Sequence, residues 1–145
     1  MMIRSLTQDD ASFMMHLQHQ STGTPWTFTT TQSLMNDPTI KGWGFWQNDT
    51  LLGFILIQVI AGSADMIEFV VDESSRYQGY GKKLYAFMEK DCSVQGVLEI
   101  TLEVATDNKA AHLFYQRQGF IVVGLRPNYY QSSQGKIDAL LMQKK

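Results

Sequence analysis

Between Met66 and Cys92 the chain spells out one unit of structure. A strand-length apolar run, MIEFVVD, passes through a polar stretch to two glycines one residue apart, Gly79 and Gly81. Leu84, Tyr85 and Met88 then recur at helical spacing among Lys82, Lys83, Glu89 and Lys90. The pattern repeats downstream: VLEITLEV reads as a strand, DNKAAHLFYQRQ as a helix with Gly119 as its left-handed cap, and FIVVGLR as a further strand. Such a βαβαβ run commits the chain to an α/β layered fold with a mixed sheet. In that architecture the ligand crevice opens where the strand order diverges.

The remaining segments fit around this unit. MIRSL is a first strand, and Thr7 with Asp10 marks the capped start of a helix expected from Asp9 to about His19. STGTPWTFTTTQSLMNDP reads as a loop carrying an exposed Trp26, then a short helix near Thr31 to Asn36 that Pro38 keeps from continuing. GWGFWQNDTLLGFILIQVI contains two β-rich runs joined at Asn48 and Asp49, a hairpin signal, and KIDALLMQ closes the chain as a strand. At 145 residues the expectation is one domain spanning residues 1–145, with 44% apolar residues to fill its core.

Charge and cysteine content narrow the function classes. A net charge of −2 gives no basic field for a nucleic-acid backbone, although a local basic patch could still hold a small anion. The lone Cys92 cannot form an internal disulfide, and MMIRSLTQDD lacks the apolar core of a secretory signal, so a cytoplasmic location is expected. The longest apolar run, LLGFILI, is far too short to cross a bilayer, so no membrane association is expected.

Gly79 and Gly81 stand where a strand hands over to a helix, and there the first main-chain N–H groups lack intrahelical acceptors. Without a Cβ they let an anion approach the main chain, and Arg76, Lys82 and Lys83 add positive charge, so a pyrophosphate suits the place. The spelling fits neither a Walker loop nor the dinucleotide fingerprint, which would want a glycine at Leu84. Taken alone, the two glycines are also compatible with an ordinary turn.

Arg76-Tyr77-Gln78-Gly79-Tyr80-Gly81 resembles the R/Q-x-x-G-x-G/A signature of the GNAT superfamily of acetyl-CoA-dependent N-acetyltransferases, in the strand-to-helix context that family uses. PWTFTTTQSL from Pro25, LEV at Leu102 to Val104, Asn108, LFYQRQGF from Leu113, RPNYY from Arg126 and GKIDALLM from Gly135 extend the likeness. They are similar to the bacterial branch that acetylates the N-terminal alanine of ribosomal proteins. The resemblance implies a GNAT fold, a mixed central sheet of about seven strands flanked by about four helices. It implies acetyl-CoA as cosubstrate and no metal. Phe69, Val70 and Val71 would bind the pantetheine and acetyl group through their main chain, while Tyr77, Gln78, Gly79, Tyr80, Gly81 and Lys82 would hold the pyrophosphate. Asn108 would contact the CoA arm, Glu103 would accept a proton and Tyr115 would donate one. The implied acceptor is a protein N-terminal α-amine, most naturally the alanine of a ribosomal protein. No direct nucleic-acid contact is implied, and the expected state is a monomer or weak dimer. Three departures from the family pattern stand out: Glu73 where proline is usual, the bulky Phe69, and Ala105 in place of the common arginine.

Alternatives remain at this level. The same chemistry would serve a small-molecule amine or a lysine, and a non-catalytic acyl-CoA-binding module would keep the glycines but need neither Glu103 nor Tyr115. Glu103 has a bland reading as a solvent-facing carboxylate, and Tyr115 one as a core aromatic beside Leu113 and Phe114. RPNYY is either an ordinary turn or a pair of tyrosines gripping a peptide. Cys92 lacks a paired base and is expected to pack, His16 and His19 lack a third metal ligand, and His112 is expected on the helix surface or in the crevice.

Overall fold

The computed structural model describes residues 2–21, 23–132 and 135–145. Strand β1 is Met2–Ser5 and is followed by a 3-10 turn, helix α1 at Ala11–Gln18 and helix α2 at Phe28–Asn36. Strands β2 (Ile40–Gln47), β3 (Thr50–Ile60) and β4 (Ser63–Val71) lead to helix α3 (Tyr80–Val94). Strand β5 (Glu99–Ala105), helix α4 (Lys109–Arg117) and strands β6 (Ile121–Ser132) and β7 (Gly135–Lys144) complete the order.

Local chemistry sets most of these boundaries. Thr7 and Asp10 form the expected capping box, and Asp10 also takes a two-pronged ion pair from Arg4 at 3.0 and 3.1 Å. The β2–β3 hairpin turns at Asn48 and Asp49, both with positive φ, as the matched twist of a two-residue turn requires. A second hairpin, at Ala61 and Gly62, joins β3 to β4 in the same way. Helix α2 starts at Phe28, three residues before the expected Thr31, because the Thr27 side chain accepts a hydrogen bond from the Thr30 N–H at 3.1 Å and caps it.

The strands form one sheet in the order β1-β2-β3-β4-β5-β7-β6. Every neighbouring pair is antiparallel except β4 and β5, and β7 inserts between β5 and β6. Strand β3 is buried on both faces: Ile55 and Ile57 join a core under α3 with Leu84, Tyr85 and Met88, while Phe54 and Leu56 join a core under α1 with Met14 and Leu17. Full burial of a side chain such as Phe54 contributes roughly 1.5–3 kcal/mol, so the two cores lock the helical layers to opposite faces.

The feature that makes room for chemistry is the β4/β5 seam. The two strands pair only at Ser63–Glu99, Ala64–Ile100 and Asp65–Thr101. Beyond Asp65 and Thr101 they part, so the β5-facing edge of β4 from Met66 to Val71 has no strand partner. The divergence expected of the mixed sheet is therefore a wedge between its only parallel neighbours.

Candidate active site

The wedge opens into a cleft of about 1050 Å³. Its floor is Asp65 to Phe69 on β4 and Leu102 to Ala105 on β5, with Gln18, Ser21 and Gly23 to Trp26 on one side and Asn108, Ala111, Tyr115, Tyr129 and Tyr130 on the other. The fold thus brings Phe69, Glu103, Asn108 and Tyr115 together. Val70, which is buried, and Val71 lie within β4 but outside the lining, and the stretch from Tyr77 to Lys82 lies beyond the end of β4, largely exposed. The link between the two places is close packing: a Cβ on Gly81 would sit 3.4 Å from the Phe69 ring.

At the glycine stretch the main chain is the functional surface. The first α3 hydrogen bond runs from the Lys83 N–H to the Gly79 carbonyl at 3.2 Å, which leaves the N–H groups of Tyr80, Gly81 and Lys82 without intrahelical acceptors. Tyr77 and Gly79 hold φ of 64° and 85°, and this curls the chain into the helix start. Tyr77 stands 98% exposed. Tyr80 stacks on Phe45 with centroids 4.2 Å apart, and its hydroxyl donates to Gln78 at 3.1 Å. Arg76 is not a free cation here: its Nε–H donates to the Val71 carbonyl at 3.0 Å, tying the loop to the end of β4. Lys82 and Lys83 are exposed beside it.

In the cleft, side chains take over. Glu103 is half-buried, and its Oε1 accepts from Arg126 at 3.0 Å. Its Oε2 is buried and, among the described residues, has no hydrogen-bond donor. Glu103 is thus no solvent-facing edge carboxylate. Arg126 also lies over the Tyr129 ring at 4.7 Å, and the Tyr130 hydroxyl donates to the Glu103 main-chain carbonyl at 3.3 Å. RPNYY is therefore not a turn but part of β6, with a register shift between Arg126 and Tyr130 and a positive φ at Asn128. That bulge aims both tyrosines into the cleft.

Tyr115 is buried, packed against Phe114 and Phe120, with its hydroxyl 3.5 Å from the Met66 sulfur. Burial, reinforced by the charge of Glu68 and by Tyr130, pushes its phenol far above the ordinary tyrosine value, so it stays protonated at neutral pH. Asn108 caps α4 by accepting from the Ala111 N–H at 3.2 Å. Trp26 is half-buried rather than exposed, its ring 6.1 Å from Phe54 at the cleft wall.

One cleft residue escaped the sequence reading. Glu68, on β4, lines the cleft, and its Oε1 accepts from the Ser21 hydroxyl at 3.0 Å. Burial raises its carboxyl above the ordinary value, and hydrogen bonds from Ser21 and Gln18 only partly oppose this. The signal was present in MIEFVVD: an acid flanked on both sides by apolar residues, Met66 and Ile67 before it and Phe69 to Val71 after it. The weaker candidates stay outside the site. Burial pushes the Cys92 thiol up to about 11, His19 bonds the Trp26 carbonyl at 2.9 Å, and His112 lies off the lining. Among the described residues no group of three His, Cys, Asp or Glu side chains could hold a metal, and no helix is long and apolar enough to cross a membrane.

The sequence model of the Acetyltransferase (GNAT) family matches residues 6–120. The chain belongs to the GNAT family. It is therefore an acetyltransferase, with acetyl-CoA as cosubstrate. It is 29% identical to the [ribosomal protein bS18]-alanine N-acetyltransferase of Escherichia coli strain K12 over 140 residues, covering 97% of this chain and 94% of that one. A spermidine N(1)-acetyltransferase of Thermoplasma acidophilum is 32% identical over 79 residues, 54% of this chain and 49% of that one. Among solved structures, the ribosomal-protein-S18-alanine N-acetyltransferase of Escherichia coli superposes with a TM-score of 0.92 at 28% identity, covering 98% of this chain and 91% of that chain. Ard1 from Thermoplasma volcanium superposes with a TM-score of 0.85 at 26% identity, covering 99% and 95%. The expected seven-stranded mixed sheet with four helices is the GNAT fold of these structures.

Proposed function

We propose that this GNAT acetyltransferase modifies a protein N-terminal α-amine, with the N-terminal alanine of ribosomal protein bS18 as its acceptor. The observation that carries the reading is near full-length likeness to an enzyme named for that reaction, together with Glu103 and Tyr115 facing one cleft. In this reading the unpartnered edge of β4 at Phe69, Val70 and Val71 receives the pantetheine and acetyl group. The free N–H groups at the start of α3, within Tyr77, Gln78, Gly79, Tyr80, Gly81 and Lys82, take the pyrophosphate, and Asn108 flanks the CoA arm. The fit is supported by the open space around Gly79 and by the close Gly81–Phe69 contact, which a larger side chain would disturb.

The chemistry is direct attack of the amine nitrogen on the thioester carbonyl carbon with loss of the thiolate. Glu103 takes the amine proton at its unpartnered Oε2, while Arg126 fixes the carboxylate through Oε1. Tyr115, kept protonated by burial, gives its proton to the departing sulfur. Removing a proton from an α-amine at pH 7 costs about 1 kcal/mol, against roughly 4.6 kcal/mol for a lysine, so one glutamate suffices for the former. Tyr129 and Tyr130 grip the acceptor main chain at the cleft wall. The same reading has the enzyme act in the cytoplasm as a monomer or weak dimer, without direct contact to nucleic acid. The spermidine enzyme's partial likeness keeps a polyamine as the second reading.

The test is CoA release by wild type and Glu103→Gln across pH. Its substrates are an Ala-initiated peptide, the same peptide N-terminally blocked but carrying lysine, and spermidine. Glu103→Gln is expected to be severely impaired on the free peptide near pH 7 and to recover partly towards pH 8 and above, where solvent deprotonates the amine. Faster turnover of the blocked lysine peptide or of spermidine than of the free peptide would overturn the N-terminal reading.

A further inference from the structure

Besides Glu103 two further carboxylates line the cleft with no role in this mechanism: Asp65, which is exposed at the paired end of the seam and accepts from the Thr101 hydroxyl at 2.9 Å, and Glu68. Glu68 lines it from β4, across the wedge from Glu103 on β5. The two differ in their partners. Glu103 has Arg126, and Asp10, Asp91 and Glu89 elsewhere each have a cation. Glu68 has none within ion-pair distance among the described residues, and what holds it is neutral: the Ser21 hydroxyl at 3.0 Å and the Gln18 amide. Gln18 is itself anchored: it is 1% exposed, donates to the Thr24 carbonyl at 3.1 Å and accepts from the Trp26 N–H at 2.8 Å, so the α1–α2 connection holds Glu68 in place from behind. The titratable groups that feel its charge are Tyr115 and Tyr130, and both are protonated at neutral pH.

A half-buried carboxylate held only by neutral groups loses stability that a neutral residue would keep, unless something brings the missing cation. The reaction brings one, because an amine acceptor reaches the cleft mostly as its ammonium at pH 7. We propose that Glu68 binds the acceptor ammonium on the α1–α2 side of the cleft, so that one carboxylate captures the amine and the other takes its proton. The inference rests on the acceptor being an amine and refines the reading above by assigning its capture site.

The experiment compares wild type, Glu68→Gln and Ser21→Ala on the Ala-initiated peptide. Calorimetry on the CoA-bound enzyme follows, with that peptide and a counterpart whose α-amine is replaced by hydrogen. Glu68→Gln is expected to raise the peptide KM about tenfold at pH 6.5, the scale of one lost charged contact, with the penalty shrinking above pH 8 as the amine becomes neutral. The counterpart without the amine is expected to bind wild type and Glu68→Gln alike. Ser21→Ala, which keeps the charge, stays within a few fold of wild type, and the rise in melting temperature on adding acetyl-CoA is unchanged in all three. A KM for Glu68→Gln within twofold of wild type at pH 6.5 would overturn the proposal. So would equal loss of binding for the peptide lacking the amine, since Glu68 would then only hold the loop. If wild type turns over spermidine and not the peptide, the N-terminal reading fails on its own, and the KM ratio for spermidine decides the role of Glu68.

Discussion

Tyr77 to Lys82 is one continuous stretch, largely open to solvent, that presents main-chain N–H groups at the start of α3. Glu68, Glu103, Tyr115 and Tyr130 come from four separate elements, β4, β5, α4 and β6, and present side chains to a shared cleft. The stretch depends on backbone conformation, which neighbouring residues set. The cleft depends on which strands meet and where they part. One is tolerant of side-chain identity except where a Cβ intrudes, whereas the other is sensitive to single functional groups.

That contrast breaks most readily at Tyr115. Tyr115→Phe keeps the ring packing and removes the proton, so kcat is expected to fall roughly 10²-fold or more, with acetyl-CoA affinity within a few fold by calorimetry. Lost CoA binding with kcat preserved would move Tyr115 from the chemistry to cofactor binding. Gly81→Val tests the other side. At an acetyl-CoA concentration a hundredfold above its Kd, ligand stabilisation of about 2.7 kcal/mol is expected in wild type and is lost in the variant, as read by the melting temperature. Gly81→Ala is expected to retain most of it, because the added Cβ meets the Phe69 ring at an ordinary 3.4 Å.

Gly79→Ala sharpens the distinction between conformation and contact. Nothing lies within 4 Å of the added Cβ, but φ is 85°, so a loss of about 1 kcal/mol in unfolding free energy is expected by denaturant titration. The smallest effect concerns Glu68. Its folded-state affinity for a proton is raised by burial, so the stability it contributes is present below the ordinary glutamate pKa near 4.5 and is lost as pH rises through its higher folded value. Without acceptor, Glu68→Gln is therefore expected to melt at or above wild type at pH 7, with the difference closing towards pH 4.

Elements whose signals lie close together in the chain were legible. The Thr7–Asp10 capping box, the Asn48–Asp49 turn, the buried Leu84–Tyr85–Met88 face and the Gly119 cap each depend on residues within a few positions of one another. RPNYY stayed open between a turn and a peptide grip because its composition is that of a turn, while pairing with β7 keeps it in the sheet as a bulge. Trp26 read as exposed because nothing nearby in sequence announces Phe54 as its neighbour. Glu68 passed as one more residue of an apolar strand, since its significance lies in Ser21, 47 positions away.

The sequence by itself determined the alternation of strands and helices and the glycine-led start of α3, because propensity, capping and positive φ are decided within a turn or two of chain, whereas Glu103 and Tyr115 came forward as candidates only through the family resemblance. Only the tertiary structure decided that β4 and β5 pair over three residues and then part, that β7 inserts between β5 and β6, and that Arg126 engages one oxygen of Glu103 while leaving the other bare. Those outcomes follow from sheet pairing and two-sided burial, which couple residues tens of positions apart and leave no local mark on the chain.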